Sequence, residues 1–293
     1  MSLAAARGAR TAVRPHERTS RSAETPASGC ELPAVPLPER CPGCGVVASI
    51  ELLRPRLYVC RCGHHFSLTA EAWIALLCDA GSWREHWVDL RSGDILGWTS
   101  PAPYAQVLAR AAAGGLNESA RAGSGRLGGA PLWLVAFDFR FLGGTLGMVS
   151  GERLARAMES AAASGDPFVL VTASGGARMQ EGLMALMQMA KVNAVLADLH
   201  DAGIPFISVL TNPTYGGTAA SLALLADVNV AEPGAAIGFS GPRVIRQATF
   251  ATLAEDFQTA SFQLAHGHVD LVVPRTELRE RLARLLALYA GRR

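Results

Sequence analysis

Lysine is almost absent from this sequence: Lys191 is the single lysine among 293 residues, and arginine supplies the other basic side chains. Charge of one sign is also lacking, because 27 lysine and arginine residues are balanced by 25 aspartate and glutamate residues, which gives a net charge of +2 at pH 7. A protein that binds nucleic acid carries a strongly basic surface with interleaved aromatic residues, and this chain is only 6% aromatic. We therefore expect no nucleic-acid partner.

Long apolar runs are missing as well. No run approaches the ~18 consecutive apolar residues of a membrane span. The N-terminus carries arginines without the apolar stretch of a secretory signal. Of six cysteines, four fall within residues 41–62, unlike the disulfide framework of a small secreted domain. We expect a cytoplasmic protein that is not inserted in a membrane.

Residues 1–38 are rich in alanine, arginine, serine and proline and show no apolar periodicity. This composition predicts a disordered N-terminal extension. Arginine and serine are also enriched in organelle transit peptides, but those are poor in acidic residues. Glu17, Glu24 and Glu31 therefore argue against a transit peptide here.

Two pairs of closely spaced cysteines follow, Cys41 with Cys44 and Cys60 with Cys62. Four thiolates can coordinate one Zn²⁺ and so stabilise a segment too short to form its own hydrophobic core. We predict a zinc ribbon over residues 39–66 with these four cysteines as ligands.

The segment between the two pairs contains apolar residues at 50–53 and 57–59, which predict a small hairpin. His64 or His65 could replace one thiolate as a ligand. The alternative is a degenerate ribbon that has lost its metal.

Residues 67–293 alternate short apolar runs with helical segments. The runs 132–139, 168–171 and 204–210 are each followed by a loop that contains glycine and then by a segment of helical periodicity, while residues 123–130 have the composition of a turn. This repetition predicts an α/β fold in layers, in which a doubly wound sheet remains one of the open topologies.

Two glycine pairs stand out, Gly175-Gly176 and Gly216-Gly217, because each follows a predicted strand and precedes a predicted helix. Several backbone N–H groups have no partner at the start of a helix, and glycine lets another molecule approach that backbone closely. Such a turn suits an anion, or a carbonyl oxygen that becomes negative in a transition state. A pair of turns that only pack is the alternative interpretation.

Five longer segments of the sequence are distinctive: Ser174-Gly-Gly-Ala-Arg-Met-Gln-Glu-Gly-Leu-Met184, Met187-Gln-Met-Ala-Lys191, Ile207-Ser-Val-Leu-Thr211, Ala231-Glu-Pro233 and Ile237-Gly-Phe-Ser-Gly-Pro-Arg-Val-Ile245. In content and order they resemble the carboxyltransferase β subunit of bacterial acetyl-CoA carboxylase. The resemblance extends from about Cys41 to Val273. One departure lies in the ribbon, where the family has two residues between the cysteines of each pair, but only Arg61 separates Cys60 from Cys62.

The resemblance implies a fold and an activity. The fold is a crotonase-like superhelix of repeated ββα units over residues 67–293, preceded by the zinc ribbon. The activity is transfer of a carboxyl group from carboxybiotin to acetyl-CoA, which gives malonyl-CoA for fatty acid or polyketide synthesis. The implied partners are a carboxyltransferase α subunit in an α2β2 heterotetramer, the biotin carboxyl carrier protein that delivers carboxybiotin, and biotin carboxylase.

The resemblance also suggests roles for individual residues. Backbone N–H groups would stabilise the thioester enolate, and because the departing biotin nitrogen can accept the α-proton, no strong side-chain base is required. Glu181 is therefore given no proton-transfer role. The oxyanion region is assigned to Gly175, Gly176, Ala177, Gly216 and Gly217. The substrate pocket is assigned to Gly143, Gly144 and Arg178.

Three other functions remain open from the sequence. The chain could serve a different acyl-CoA, including as a decarboxylase that uses the same oxyanion sites. It could be a nucleic-acid-binding zinc-ribbon protein, which the balanced charge opposes. It could also be a catalytically silent paralogue that acts in assembly, which the intact glycine pairs oppose.

Overall fold

The computed structural model describes residues 32–250 and 252–290, which form a central sheet with helices on both faces. The strands are β1 Arg84–Glu85, β2 Ala120–Leu127, β3 Ala130–Phe137, β4 Phe168–Ser174, β5 Phe206–Tyr215, β6 Val228–Ala231, β7 Ile237–Gly238 and β8 Leu271–Val272. The helices are α1 Ile50–Leu53, α2 Ala70–Leu77, α3 Tyr104–Ala113, α4 Met148–Ser164, α5 Gly182–Asp201, α6 Gly216–Thr218, α7 Pro242–Thr249, α8 Ala260–Ala265 and α9 Arg275–Ala290. Short 3₁₀ turns lie at Arg54–Arg56, Leu142–Gly144 and Met179–Glu181, and a π-helical turn, Ala219–Ala223, continues α6.

Most of the predicted N-terminal extension, residues 1–31, lies outside the described part of the chain. Its last residues belong to the folded body. Leu32 and Val35 are buried in the core, and the Tyr58 hydroxyl donates a hydrogen bond to the Pro33 carbonyl at 2.9 Å. The boundary of the extension therefore lies earlier than residue 38.

The sheet order brings the two glycine pairs together. The strands run β1-β2-β3-β4-β5-β6-β8, with β7 paired to the end of β5. Contacts from β3 onward are parallel, and β4 lies directly beside β5 with Ser174 opposite Thr214. Because neighbouring parallel strands end at the same edge, the loops that follow β4 and β5 meet there.

The sheet is buried on both faces, which explains the nearly continuous apolar runs of its strands. Alternate residues of β3 and β4, such as Leu134 and Val169, join one core cluster with α2, α9 and the cysteine-rich segment. Their neighbours Val135 and Leu170 join a second cluster with α4 and α5. The architecture is thus three-layered.

The prediction of a turn over residues 123–130 is wrong for most of that segment. Residues 123–127 belong to strand β2, and only the end of the segment turns. The glycines of β2 allow the close approach of neighbouring groups rather than a bend, since a Cβ on Gly123 would lie 2.2 Å from the Arg84 carbonyl oxygen. A Cβ on Gly123 would lie 2.7 Å from the Trp83 ring, and one on Gly125 would lie 2.9 Å from the Cys78 Sγ. With β3 and α4, this strand completes a ββα unit.

The cysteine-rich segment contains a helical turn where a hairpin was predicted. Helix α1 begins after Ser49, whose hydroxyl accepts a hydrogen bond from the Leu52 N–H at 3.4 Å, and the 3₁₀ turn that follows contains Pro55. The segment also shares its core with the rest of the chain, since Leu53 and Phe66 belong to the same cluster as strands β3 to β6.

Helix α5 with its preceding turn, Met179–Asp201, is the one helix in the described ranges that is long and apolar enough to cross a membrane by length and composition. One side of it packs into the core through Val192, Leu196 and Leu199. The core helix of a globular protein passes the same test, so the apolar character of α5 does not require a bilayer.

Candidate active site

The turns that follow β4 and β5 touch each other. A Cβ on Gly216 would lie 2.8 Å from the Cα of Gly176, closer than side chains pack. Both residues have positive φ angles, +117° at Gly176 and +65° at Gly216, which side chains disfavour. The approach of the two turns therefore requires glycine at both positions, and it brings the two glycine pairs together.

Hydroxyl groups between the two strands fix this geometry. The Thr211 hydroxyl donates to the Thr172 carbonyl at 2.6 Å, and the hydroxyls of Ser174 and Thr218 lie 2.9 Å apart. All four residues are buried. These bonds tie the end of β4 to β5 and to the first turn of α6.

Most of the N–H groups assigned to the oxyanion region are already used within the protein. The Gly175 N–H donates to the Gly143 carbonyl at 2.8 Å, the Gly176 N–H to the Ser174 Oγ at 3.1 Å, and the Gly216 N–H to the Phe239 carbonyl at 2.8 Å. These three N–H groups are therefore not free donors, and the assignment of the residues themselves to the oxyanion region stays a prediction.

Two donors remain. Among the described residues, the N–H groups of Ala177 and Gly217 have no hydrogen-bond partner. They belong to adjacent turns, since a Cβ on Gly176 would lie 3.5 Å from the Gly217 nitrogen. The arrangement offers two backbone donors at one edge of the sheet, as stabilisation of an oxyanion requires.

Only the second glycine pair opens a helix directly. After Gly176 the chain continues through Ala177, Arg178 and a 3₁₀ turn before α5 starts at Gly182, whose φ of +52° separates the turn from the helix. Any favourable helix dipole therefore acts at Gly217 and not at the first pair.

Gly143 and Gly144 pack against the turn that follows β4. A Cβ on Gly144 would overlap the Ala173 carbonyl, and Gly144 is buried. The Gly143 carbonyl accepts the Gly175 N–H. This contact supports the turn, and the assignment of the two glycines to the CoA pocket stays a prediction.

Arg178 does not face a substrate, contrary to the prediction. Its side chain is 0% exposed and lies over the Phe141 ring, with the guanidinium carbon 5.0 Å from the ring centre. The guanidinium forms ion pairs with Glu118 and Glu181 and also donates to hydroxyl and carbonyl oxygens at Ser119 and Thr145.

Glu118 and Glu181 complete a buried network that the sequence did not reveal. Burial raises the pKa of Glu118, but the charge and hydrogen bonds of Arg178 outweigh this effect and hold the pKa below its usual value. Glu181 accepts hydrogen bonds from the Tyr104 hydroxyl at 2.7 Å and from Arg178 at 3.1 Å. Both carboxylates thus form hydrogen bonds within the protein, and the absence of a proton-transfer role for Glu181 stays a prediction.

The four cysteines form a cluster that fits a zinc ion. Their sulfur atoms all lie within 4.8 Å of one another, with 3.7 Å between Cys41 and Cys62 and between Cys44 and Cys60. Tetrahedral zinc with Zn–S bonds of about 2.3 Å would place its ligands about 3.8 Å apart. Hydrogen bonding to the Cys62 backbone lowers the pKa of Cys60 to about 7, which favours the thiolate that binds metal.

Neither nearby histidine joins this cluster. His64 packs edge-on against Phe66, and the His65 Nε2 accepts the Arg275 N–H at 3.2 Å. The four cysteines therefore come together as a group that could hold a metal, despite the shortened second pair.

The outer side of α5 and its preceding turn carries an exposed apolar face. Its residues are Met179, Leu183, Met184, Leu186 and Met187, and the first two are 70% and 68% exposed. Exposed apolar faces of this kind mark sites of contact with another protein, a membrane or a ligand.

The chain is similar to known carboxyl transferases. The family model "Carboxyl transferase domain" matches residues 102–263. An "Acetyl-coenzyme A carboxylase carboxyl transferase subunit beta 2" from Roseiflexus sp. is 50% identical over 254 residues, which cover 86% of this chain and 84% of the relative. The corresponding subunit beta from Opitutus terrae is 51% identical over 229 residues, 78% of this chain and 79% of the relative.

A fused relative and solved structures extend the comparison. The "subunits beta/alpha" protein of Saccharopolyspora erythraea is 49% identical over 254 residues, 86% of this chain but only 45% of that protein. A malonate decarboxylase heterodimer of Pseudomonas has a TM-score of 0.58 at 28% identity and covers 76% of this chain and 86% of its own. A transcarboxylase 12S structure has a TM-score of 0.62 at 24% identity, covers 75% of this chain and 41% of its own, and supports the fold alone. With this fold, these relatives and the two converging turns, the chain belongs to the carboxyl transferase family, as an acetyl-coenzyme A carboxylase carboxyl transferase subunit beta.

Proposed function

We propose that this chain supplies the acyl-CoA half of the carboxyltransferase site, in which the N–H groups of Ala177 and Gly217 bind the thioester oxygen of acetyl-CoA. The observation that carries the proposal is the contact between the two glycine turns, each of which carries one unpaired donor. The names of the relatives at about 50% identity support acetyl-CoA as the substrate.

The reaction removes a proton from the acetyl methyl group and forms a carbon–carbon bond to the carboxyl carbon. Carboxybiotin would supply the carboxyl group and accept the proton. The task of this chain is to stabilise the negative charge on the thioester oxygen, and a backbone donor at such a position contributes about 3 kcal/mol. The described residues place no acidic or basic side chain on Gly216–Ala223, so the N–H groups act there without a side-chain base.

The other half of the site would come from a carboxyltransferase α subunit that covers the exposed apolar face of α5. The fused relative supports this partner, because this chain matches less than half of a protein named for both subunits. The full assembly would be an α2β2 heterotetramer in the cytoplasm, supplied by biotin carboxylase and the biotin carboxyl carrier protein. The malonyl-CoA would serve fatty acid or polyketide synthesis, and the four cysteines would hold a structural Zn²⁺.

The test is a carboxyl-transfer assay on the chain alone and after co-expression with an α subunit from the same genome. We expect turnover only in the co-purified complex, with acetyl-CoA preferred over propionyl- and butyryl-CoA. Robust carboxyl transfer by the isolated chain would refute the proposal that it supplies only half of the active site. Preference for a longer acyl-CoA would refute the proposal that acetyl-CoA is the substrate.

Malonyl decarboxylation is the second candidate, and the malonate decarboxylase neighbours at 28% identity favour it. The same two donors would stabilise the enolate that is left when CO₂ departs. Release of CO₂ from malonyl-CoA without any biotin carrier, at a rate above that of carboxyl transfer, would favour this alternative.

A further inference from the structure

All three nitrogen atoms of the Arg178 guanidinium form hydrogen bonds inside the protein. Arg178 directly follows Ala177, which carries one of the two unpaired N–H groups. Its Nε donates to the Thr145 hydroxyl at 3.2 Å, and its terminal nitrogens donate to Ser92, Ser119 and the two carboxylates of the buried network. A guanidinium has five N–H groups in a rigid planar fork, and these partners surround it.

The backbone on either side of Ala177 is held by the same neighbour. The Leu146 N–H donates to the Gly176 carbonyl at 2.8 Å, and the Arg178 N–H donates to the Leu146 carbonyl at 2.8 Å. This short parallel bridge turns the Ala177 N–H away from Leu146 and leaves it unpaired. The direction of that donor therefore depends on how firmly Gly176–Arg178 lies against residue 146.

The side chain of Arg178 also links the Gly176–Arg178 segment to the segment that contains Leu146. It donates to the Thr145 carbonyl at 2.8 Å, next to Leu146, while its ion pair with Glu118 anchors it to the start of the β2–β3 hairpin. A lysine would keep the charge but has a single nitrogen that cannot reach all of these oxygens at once. The buried carboxylates would then lose hydrogen bonds.

We infer that Arg178 is a positioning residue: its buried guanidinium fixes the Gly176–Arg178 segment so that the Ala177 N–H is aimed at the thioester oxygen. The inference rests on the proposed function, because it takes the Ala177 N–H to be an oxyanion donor. Arg178 touches no substrate in this arrangement and acts only through the backbone of its neighbour.

The experiment compares Arg178→Lys with Arg275→Lys in the co-purified complex. Arg275 is a matched control, since it is 1% exposed, binds Glu232 with two hydrogen bonds and lies 5.1 Å from the Trp73 ring centre, away from the glycine turns. Calorimetric titration with acetyl-CoA counts the competent sites, and kcat is expressed per site. We expect Arg178→Lys to lower kcat about 10²-fold with KM for acetyl-CoA nearly unchanged, as for a misplaced catalytic group. Arg275→Lys should leave kcat per site intact.

Rescue separates positioning from general stability. In Arg178→Ala, added guanidinium, well below denaturing concentrations, should refill the cavity and restore part of kcat, whereas it should not raise the activity of the wild-type complex. If that variant does not fold, Glu118→Gln replaces it. This change keeps the shape of the side chain but removes its charge, and it should also lower kcat per site. Unchanged kcat per site in Arg178→Lys, or a loss equal to that of Arg275→Lys, would overturn the inference.

A separate variant tests the donor itself. Ala177→Pro removes the N–H, which has no partner among the described residues, so no internal hydrogen bond is lost. Full activity of Ala177→Pro would disprove the oxyanion assignment and with it the proposed function. Loss of activity in Ala177→Pro, together with full activity in Arg178→Lys, would disprove only the positioning role.

Discussion

Gly216 lies against Gly176 so closely that a single added carbon on Gly216 would come within 2.8 Å of the Gly176 Cα and 3.2 Å of the Gly175 carbonyl oxygen. Both neighbours are backbone atoms, which cannot rotate away as a side chain can. The contact joins the ends of two parallel strands and sets the separation of the turns that carry the free donors. The absence of a side chain at both residues therefore permits the geometry of the site.

Gly216→Ala should therefore inactivate the enzyme. We expect turnover in the complex with the α subunit to fall about 10²-fold or more, because the turns must separate and the Gly217 donor moves with them. Gly234→Ala is the matched control. Gly234 has a φ of +74° but no neighbouring atom within 4 Å of an added Cβ, so this change should cost only about 1–2 kcal/mol of stability from the left-handed backbone.

Steady-state carboxyl transfer, with the melting temperature of each variant, checks this prediction. Equal activity in Gly216→Ala and Gly234→Ala would show that the close approach of the turns is not needed for catalysis. A side chain at Gly217 would contact a side chain rather than the backbone. Its Cβ would overlap the Met189 sulfur, which can move because the methionine side chain is flexible.

The strands and their glycine turns could be predicted because their signals are local. Apolar runs such as residues 168–171 predict buried strands, and glycine pairs directly after them predict tight turns. The N-cap at Thr69 is a local feature of the same kind, because its hydroxyl accepts the N–H of Ala72, three residues further on, at 3.1 Å. The grouping of the four cysteines could likewise be predicted from their spacing in the sequence.

The network around Arg178 could not be predicted because most of its partners are distant in sequence. Glu118 precedes Arg178 by 60 residues and lies in a segment without apolar periodicity. The partner of the Gly216 N–H is likewise set by a tertiary contact, namely the carbonyl of Phe239, whereas the Gly176 N–H donates to the Ser174 hydroxyl two residues earlier. Motif reasoning located the turns but could not say which of their donors were free.

The apolar face of α5 should be required for assembly. Leu183→Glu places a charge where we expect the α subunit to pack, and we predict at least about a tenfold weaker association in co-purification and sedimentation measurements. Leu288→Glu on α9 is the control, because Leu288 is equally exposed at 68% but lies on another helix. Loss of the complex in both variants, or in neither, would place the interface elsewhere.

The cysteine cluster should hold about one zinc per chain. Cys60→Ser should abolish zinc in elemental analysis of the purified protein and lower its melting temperature, because the segment around it shares the core of the chain. Cys78→Ala should keep zinc, since Cys78 is not part of the cluster. Folded, active wild-type protein without zinc would contradict the prediction.

The ion pair between Arg178 and Glu118 should make part of the stability dependent on pH. The folded pKa of Glu118 is depressed, so the native state holds the ionised carboxylate more strongly than the unfolded chain does. The stability from this group is fully present above the unfolded value of about 4.5, and it is lost as pH falls below that value towards the folded pKa.

We therefore predict that Glu118→Gln is less stable than the wild type near pH 7 and that the difference shrinks as the pH falls below about 4.5, where protonation weakens the wild-type pair as well. The measurement is chemical unfolding of both proteins at matched pH values from neutral to acidic. Comparing the two proteins at each pH cancels the titration of other groups and any loss of metal from the cysteines. A stability difference that stays constant across that range would mean that Glu118 contributes through its shape and hydrogen bonds alone, and that its charge does not secure the buried guanidinium.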